Sequence, residues 1–223
     1  TPATAAGAPN YPEAVSFTGF PVAALDFYED LEVDNSKTFW TAHKDTYDTC
    51  VRAPMDALCA ELAEEFGTAK MFRPYRDVRF SKDKTPYKTH QGAYIPTGDA
   101  TGWYVQLSAR GVMTGGGFFD ADTARLGLFR DAIAADAPGT ALARIVDTLL
   151  AAGWEIGGDR LKTTPRGYDA DHERIELLRH KSLTFTRQHG FDPVIHTADL
   201  TETVRGDWRE LRPLIEWVAT YAS

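Results

Sequence analysis

The chain is poor in the patterns that announce familiar chemistry. Only two of its 223 residues are cysteine. Cys50 and Cys59 fall within one helical pattern. Nine residues of helix turn about 900° and rise about 13 Å, so the two thiols face opposite ways, beyond disulfide reach. Two cysteines without metal-like spacing point to a reduced, cytoplasmic protein. No apolar stretch approaches the roughly 18 to 20 residues of a membrane helix, so no membrane partner is expected. Residues 1–16, opening Thr1-Pro2-Ala3-Thr4, show neither the basic leader nor the apolar centre of a secretory signal, and a disordered tail is expected there.

Other absences narrow the chemistry. The six histidines show no HxH, HExxH or cysteine-paired spacing, so no metal site is expected. Asp120 and Asp122 read as a helix start before Leu126. Dinucleotide folds, P-loops and nucleophile elbows are unsupported, because GxGxxG, GxxxxGK[ST] and GxSxG are all missing. No catalytic residue and no cofactor is assigned. Without repeats, heptads or low-complexity linkers, residues 17–223 read as a single domain.

What is present is an ordinary core and an unusual distribution of charge. Hydrophobic content of 43% with 12% aromatics suits a folded protein of this size. A net charge of −8 and a pI near 5.2 argue against wholesale coating of nucleic acid or of an anionic membrane. Yet Arg73 to Lys88 packs six cations and two carboxylates into sixteen positions. Removing its +4 from −8 leaves −12 for the rest of the chain. Positive charge focused in this way raises the local concentration of anions whatever the net charge.

Periodicity organises the chain around that run. Phe20 to Leu31 repeats at helical intervals, and Asp34-Asn35-Ser36 breaks it, with Asn35 or Ser36 able to cap the next helix. That helix starts at Phe39 and Trp40 and is expected to reach a break at Pro54. Another follows through Met55, Leu58, Leu62 and Phe66 to Gly67. Alternation then predicts strands over Tyr75 to Ser81, Gln91 to Pro96, Trp103 to Leu107, and Val112 to Phe119 after a turn at Gly111. Helical spacing returns in Leu126 to Ile133 and Leu142 to Leu150. Asp169 to Arg179 reads as a short helix, Leu183 to Phe185 as a strand, and Leu200 to Tyr221 as helix interrupted near Gly206 and Pro213. Helices before and after a central antiparallel sheet make the fold class α+β.

Several motifs together resemble a known family. They are Phe72-Arg73-Pro74-Tyr75-Arg76-Asp77-Val78-Arg79-Phe80-Ser81-Lys82-Asp83-Lys84-Thr85-Pro86-Tyr87-Lys88-Thr89-His90, then Gly115-Gly116-Gly117, Leu161-Lys162, and Pro165-Arg166-Gly167-Tyr168. His172 and Leu177-Leu178-Arg179-His180-Lys181 extend the set. From about Phe17 to the C-terminus the chain is similar to domain of unknown function 2461. It departs from the family's usual paired asparagines and Trp-Phe pair in having Asp34-Asn35 and Phe39-Trp40. The resemblance implies a soluble, bacterial-type domain and brings with it no activity, cofactor or catalytic residue.

The residues themselves suggest an anion site. Arg76, Arg79, Ser81, Lys82, Lys84, Tyr87 and Lys88 form its expected core, and Lys162, Arg166, Tyr168 and His172 are expected to complete it from the opposite side. Arginine offers a planar fork of donors for carboxylate or phosphate, and lysine a mobile point charge. Pro86 stiffens the loop by restricting Thr85. The competing structural reading pairs Asp77 with an arginine and Asp83 with a lysine on an exposed surface. Gly115 to Gly117 reads as a bulge or as a close approach of backbones more readily than as a phosphate cradle. The expected partner is thus an anionic small molecule carrying phosphate or carboxylate. Two alternatives stand beside it: a single-strand nucleic-acid platform using Tyr75, Phe80 and Tyr87, and a docking surface for an acidic protein.

Overall fold

The computed structural model describes residues 16–79 and 82–222. Most of the expected tail, and Phe80 and Ser81, therefore lie outside the described residues. Helix α1 (Val22–Val33) buries Ala24, Leu25, Phe27, Tyr28 and Leu31 along one face. Ser36 caps α2 (Lys37–Thr46) by accepting from the Phe39 amide at 3.1 Å. Capping by Ser36 leaves the Asn35 side chain for another task.

The expected break at Pro54 does not occur. A π turn (Tyr47–Arg52) leads directly into α3 (Ala53–Phe66), and the backbone stays helical throughout. Proline lacks an N–H and its ring crowds the preceding turn, and the wider π turn just ahead of it provides the room. Gly67, at φ +99°, ends the helix.

The sheet follows. Its strands are β1 (Lys70–Met71), β2 (His90–Gly98), β3 (Thr101–Ser108), β4 (Gly111–Phe118), β5 (Glu155–Gly157) and β6 (Leu183–Gly190). They lie in the order β1-β2-β3-β4-β6-β5, every pair antiparallel. Between β4 and β6 run α4 (Thr123–Ala134), α5 (Asp136–Ala151) and α6 (Ile175–Leu178). Only these four residues of the expected Asp169–Arg179 helix are helical. The stretch before them is held as turns by Asp169 and His172 side-chain bonds to nearby backbone amides.

A closing helix, α7 (Leu200–Tyr221), crosses β4, β3 and β2 and supplies the other half of the core. Val204, Trp208, Leu211, Leu214, Ile215 and Val218 are buried on its inner face. The Trp208 ring lies 5.0 Å from Phe66 and 6.1 Å from Trp103, and its Nε1 donates to the Tyr104 carbonyl at 3.2 Å. The helix is unbroken, against expectation. Gly206 and Pro213 both face solvent, and burial of the opposite face outweighs their low helix propensity.

The glycine triplet is no bulge. Gly115 to Gly117 sit in register between β3 and β6, and the irregularity falls at Val112 and Met113. Close approach is what they serve. A Cβ on Gly116 would lie 2.9 Å from the Gly102 carbonyl, beside Leu211 and Ile215 of α7. Gly117, at φ +140°, would bring its Cβ to 2.3 Å from the Leu183 carbonyl.

Two ionic clusters tie α7 down. Asp207 is buried and accepts from Thr114 at 2.5 Å, Arg187 at 2.6 Å and His189 at 2.6 Å. Burial alone would raise its carboxyl, but these donors outweigh it and hold the pKa below the usual value. At the surface Glu65 of α3 meets Arg209 at 2.7 Å, Arg212 at 2.7 Å and Arg205 at 3.1 Å. Arg209 above all, then Arg205, holds the Glu65 carboxyl at about 2.

Two stability measurements follow from these contacts. Gly117→Ala is expected to cost about 2 kcal/mol or more through strain at positive φ and collision with Leu183, read as a lower urea midpoint. Glu65→Gln is expected to lower Tm by ~2–4 °C at neutral pH, about 1 kcal/mol for a part-exposed network. Because the Glu65 pKa is depressed, its contribution is complete above 4.5 and disappears as pH falls through about 2. The Tm gap between variant and wild type should therefore close across that interval.

Candidate functional site

The cationic run between β1 and β2 does not extend the sheet as a strand. Among the described residues it makes one isolated bridge, Tyr75 to Tyr87. The Arg76 amide donates to the Pro86 carbonyl at 2.8 Å, and the Lys88 amide donates to the Pro74 carbonyl at 2.7 Å. Beyond this neck the aspartates turn the chain locally. Asp77 accepts from the Arg79 amide, and Asp83 from the Thr85 amide. Such local bonds compete with a ladder, which is why alternation alone misled.

Asn35 fixes the base of the loop. Its amide nitrogen donates to the Tyr87 carbonyl at 3.1 Å, and its oxygen accepts from the Tyr87 amide at 3.0 Å. The Tyr87 ring is stacked on Trp40, with centroids 4.3 Å apart and planes within 8°. Tyr87 is thus buried and acts as an anchor. Tyr75 is half exposed beside it.

The charges divide between tip and base. At the tip, Arg79 forks onto Asp77 at 2.6 and 2.9 Å and is 77% exposed. Lys84 donates to the Val78 carbonyl at 2.9 Å, and Lys82 is exposed. Asp83 pairs with Arg76 rather than with a lysine. Bonds from the Thr85 amide and hydroxyl, with Arg76 adding to them, hold the Asp83 carboxyl at about 2. Both carboxylates of the run are therefore consumed by arginines.

Toward the sheet the balance differs. Arg76, Asp77, Lys88, Thr89 and His90 line an open pocket of about 450 Å³. Asp77 is already bound to Arg79. Among the described residues no carboxylate meets Lys88. Its ammonium lies 5.1 Å above the Phe72 ring. Partial burial, then the charge of Arg73, pushes the Lys88 pKa down. Burial likewise lowers the His90 pKa, with Lys88 and Arg76 repelling its proton further. Burial is the larger cause at both groups, and neighbouring positive charge adds to it.

The second segment lies apart. Tyr168 donates to Asp131 of α4 at 2.7 Å, and burial with that carboxylate raises its phenol to about 12. His172 accepts from the Arg174 amide at 3.0 Å, with its other nitrogen 3.4 Å from the Ala134 carbonyl. Lys162 and Arg166 are exposed. Among the described residues no hydrogen bond, ion pair or ring contact joins residues 162–172 to the cationic loop. Ser81 lies outside the described residues.

Past Phe72 the outer face of the sheet opens into a groove of about 340 Å³. Phe72, Tyr94, Tyr104, Met113, Gly115 and Phe119 line it, with Thr184 and Thr186 of β6 on the far side. Tyr94, Tyr104 and Gly115 are paired across β2, β3 and β4 in a single row. Tyr94 donates to the Thr101 carbonyl at 2.7 Å and Tyr104 to Gln106 at 2.8 Å. Burial raises both phenols to about 12, so neither serves as a base near neutrality. Among the described residues no group of three or more His, Cys, Asp or Glu side chains gathers as a metal would need. No helix among them is long and apolar enough to cross a membrane.

Asn35, Arg73, His90 and the aromatic residues of the groove received no site role from the sequence. Alternation starting at His90 rather than Gln91 would have placed His90 on the face of Tyr94. Asn35 and Tyr87 meet across 52 positions of sequence, with no local signal.

Comparison with curated proteins and with solved structures finds no match. The family described as Conserved hypothetical protein (DUF2461) matches residues 23–217. That span takes in the neck of the cationic loop, the glycine triplet and most of α7, and the chain belongs to this family.

Proposed function

We propose that this protein binds an anionic small molecule bearing phosphate or carboxylate at the base of its cationic loop. Arg76, Lys88 and His90 receive the anion, and Arg73 adds to the field. Lys82 and Lys84 at the tip steer it inward, as exposed charge does at low ionic strength, while Arg79 is held by Asp77. Lys162, Arg166, Tyr168 and His172 are not needed for this reading.

One observation carries the proposal: Lys88 and His90, which meet no carboxylate among the described residues, share an open pocket of about 450 Å³ with Arg76, already paired with Asp83, and with Asp77, already committed to Arg79. Surface charge that serves only stability is normally paired locally, as at the tip. Here no carboxylate among the described residues meets Lys88, Arg73 repels it, and Lys88 in turn repels a proton on His90; an incoming anion relieves both. The neck is held by the Asn35 fork and the Tyr87–Trp40 stack, so little ordering entropy is lost on binding.

Titration calorimetry with sulfate, inorganic phosphate and citrate tests this. Lys88→Met keeps the stem over Phe72 and removes the charge, and a loss of about tenfold or more in affinity is expected. Unchanged affinity in that variant, or no binding by any of the three anions at low salt, sinks the proposal. Acidity gives an independent check. The His90 pKa is depressed in the unliganded protein, so its contribution to folding is present above the usual histidine value and is lost as pH falls through the depressed one. A bound anion favours the protonated ring. Sulfate affinity should therefore rise between about pH 8 and pH 5, where histidines change charge, and His90→Gln should flatten that rise.

A further inference from the structure

We infer that the ligand is an amphipathic anion, whose charged group sits at Lys88 and His90 while a flat apolar body lies in the neighbouring groove on the outer face of the sheet. This inference rests on the anion site proposed above and specifies the other half of its ligand.

The groove is a built feature. Its volume of about 340 Å³ lies at the lower end of the ligand-sized range, about 300 to 1,000 Å³. The floor is backbone at β4: a Cβ on Gly115 would sit 2.7 Å from the Phe185 carbonyl and 3.1 Å from Thr186 Cγ2, so no side chain rises from this position to fill the space. The walls are rings fixed from both sides. Tyr94 lies over Gly102 and Tyr104 over Gly92, where added Cβ atoms would come within 2.4 Å of each tyrosine. Phe119 meets Tyr94 edge to face at 5.1 Å, and its amide donates to the Ala100 carbonyl at 2.9 Å.

Ala100 and Asp120, at φ 59° and 54°, are the non-glycine residues of positive φ among those described, and they bracket that contact. Backbone held in this sparsely occupied region persists where the surroundings over-determine it, and it collects at ligand sites. The Phe119 wall is therefore preorganised.

Charge ties the groove to the cationic pocket and selects its occupant. Phe72 belongs to the groove wall, 6.2 Å from Tyr104, and the Lys88 ammonium lies over the same ring, 5.1 Å from its centroid. His90 lies on β2 two and four residues before Gly92 and Tyr94, on the face those residues share. A ligand with one anionic end and an aryl or short alkyl body satisfies both halves at once. A wholly apolar partner would leave the cations unmatched, and a bare anion would leave the rings in water.

Calorimetry with three probes tests the inference: inorganic phosphate, 2-naphthyl phosphate and 2-naphthol. In the wild-type chain, 2-naphthyl phosphate is expected to bind at least tenfold tighter than inorganic phosphate, and 2-naphthol at least tenfold weaker than 2-naphthyl phosphate. Thr186→Trp, which fills the groove from a half-exposed strand position, should bring the ratio of the two phosphate affinities to about one. Met113→Trp supplies the same test from β4 if that variant fails to fold. Equal affinity for both phosphates in the wild type overturns the groove's role and leaves the anion site standing. Absence of binding by either phosphate overturns both. Naphthol as tight as naphthyl phosphate, or a dimer in sedimentation that Thr186→Trp dissociates, assigns the groove to an uncharged occupant or to a second copy and overturns the inference.

Discussion

Three consecutive glycines at the centre of β4 set what each face of the sheet can do. On the inner face Gly116 removes a side chain beneath Leu211 and Ile215, and α7 settles onto the strand where Thr114 meets Asp207. On the outer face Gly115 removes the side chain that would otherwise stand between Tyr104 and Thr186. Close helix packing and a recess on the reverse side have one cause. The aromatic residues of β2 and β3 then lean over Gly92 and Gly102 instead of over one another. Rings resting on backbone form rigid walls, since little can move beneath them.

The cationic loop is governed by a different balance. Its tip is satisfied by short-range bonds: Arg79 with Asp77, Arg76 with Asp83 and Thr85, and Lys84 with a carbonyl. Its base is satisfied by burial, through Tyr87 against Trp40 and the two-way Asn35 fork. Lys88 and His90 sit where these two regimes meet, anchored in backbone yet unmatched in charge. Of the segment's +4 excess, Arg73 and Lys88 carry half near the sheet, and Lys82 and Lys84 carry the other half at the tip.

Much of the fold was legible because long elements carry strong periodic signals. The α+β class, the β3–β4 hairpin and the first and last helices follow from residues such as Trp103, Val105 and Leu107, or Val204, Trp208 and Leu211. Local rules failed where tertiary burial overrode them, at Pro54, Gly206 and Pro213, and where aspartate turns overrode alternation, at Tyr75 to Arg79. Strands β1 and β5 span only two and three residues, too few for any period. At the candidate site, charge density pointed to Arg76 and Lys88. It had no means of indicating which cations would be paired, because Asp77 and Asp83 choose their partners in three dimensions. Asn35, His90 and the groove come together through sheet register and through the α1–α2 connection, which is far away in sequence.

The π turn at Tyr47–Arg52 has a consequence for aim. One residue beyond an α-helical turn offsets the two halves of the rod by about 100°. The leading half can thus present Trp40 to Tyr87 while the trailing half sends Leu58 and Leu62 into the core. An uninterrupted helix of the same length would have to sacrifice one of these orientations. Phase, set in a single wide turn, decides whether the loop that holds Lys88 has a surface to rest upon.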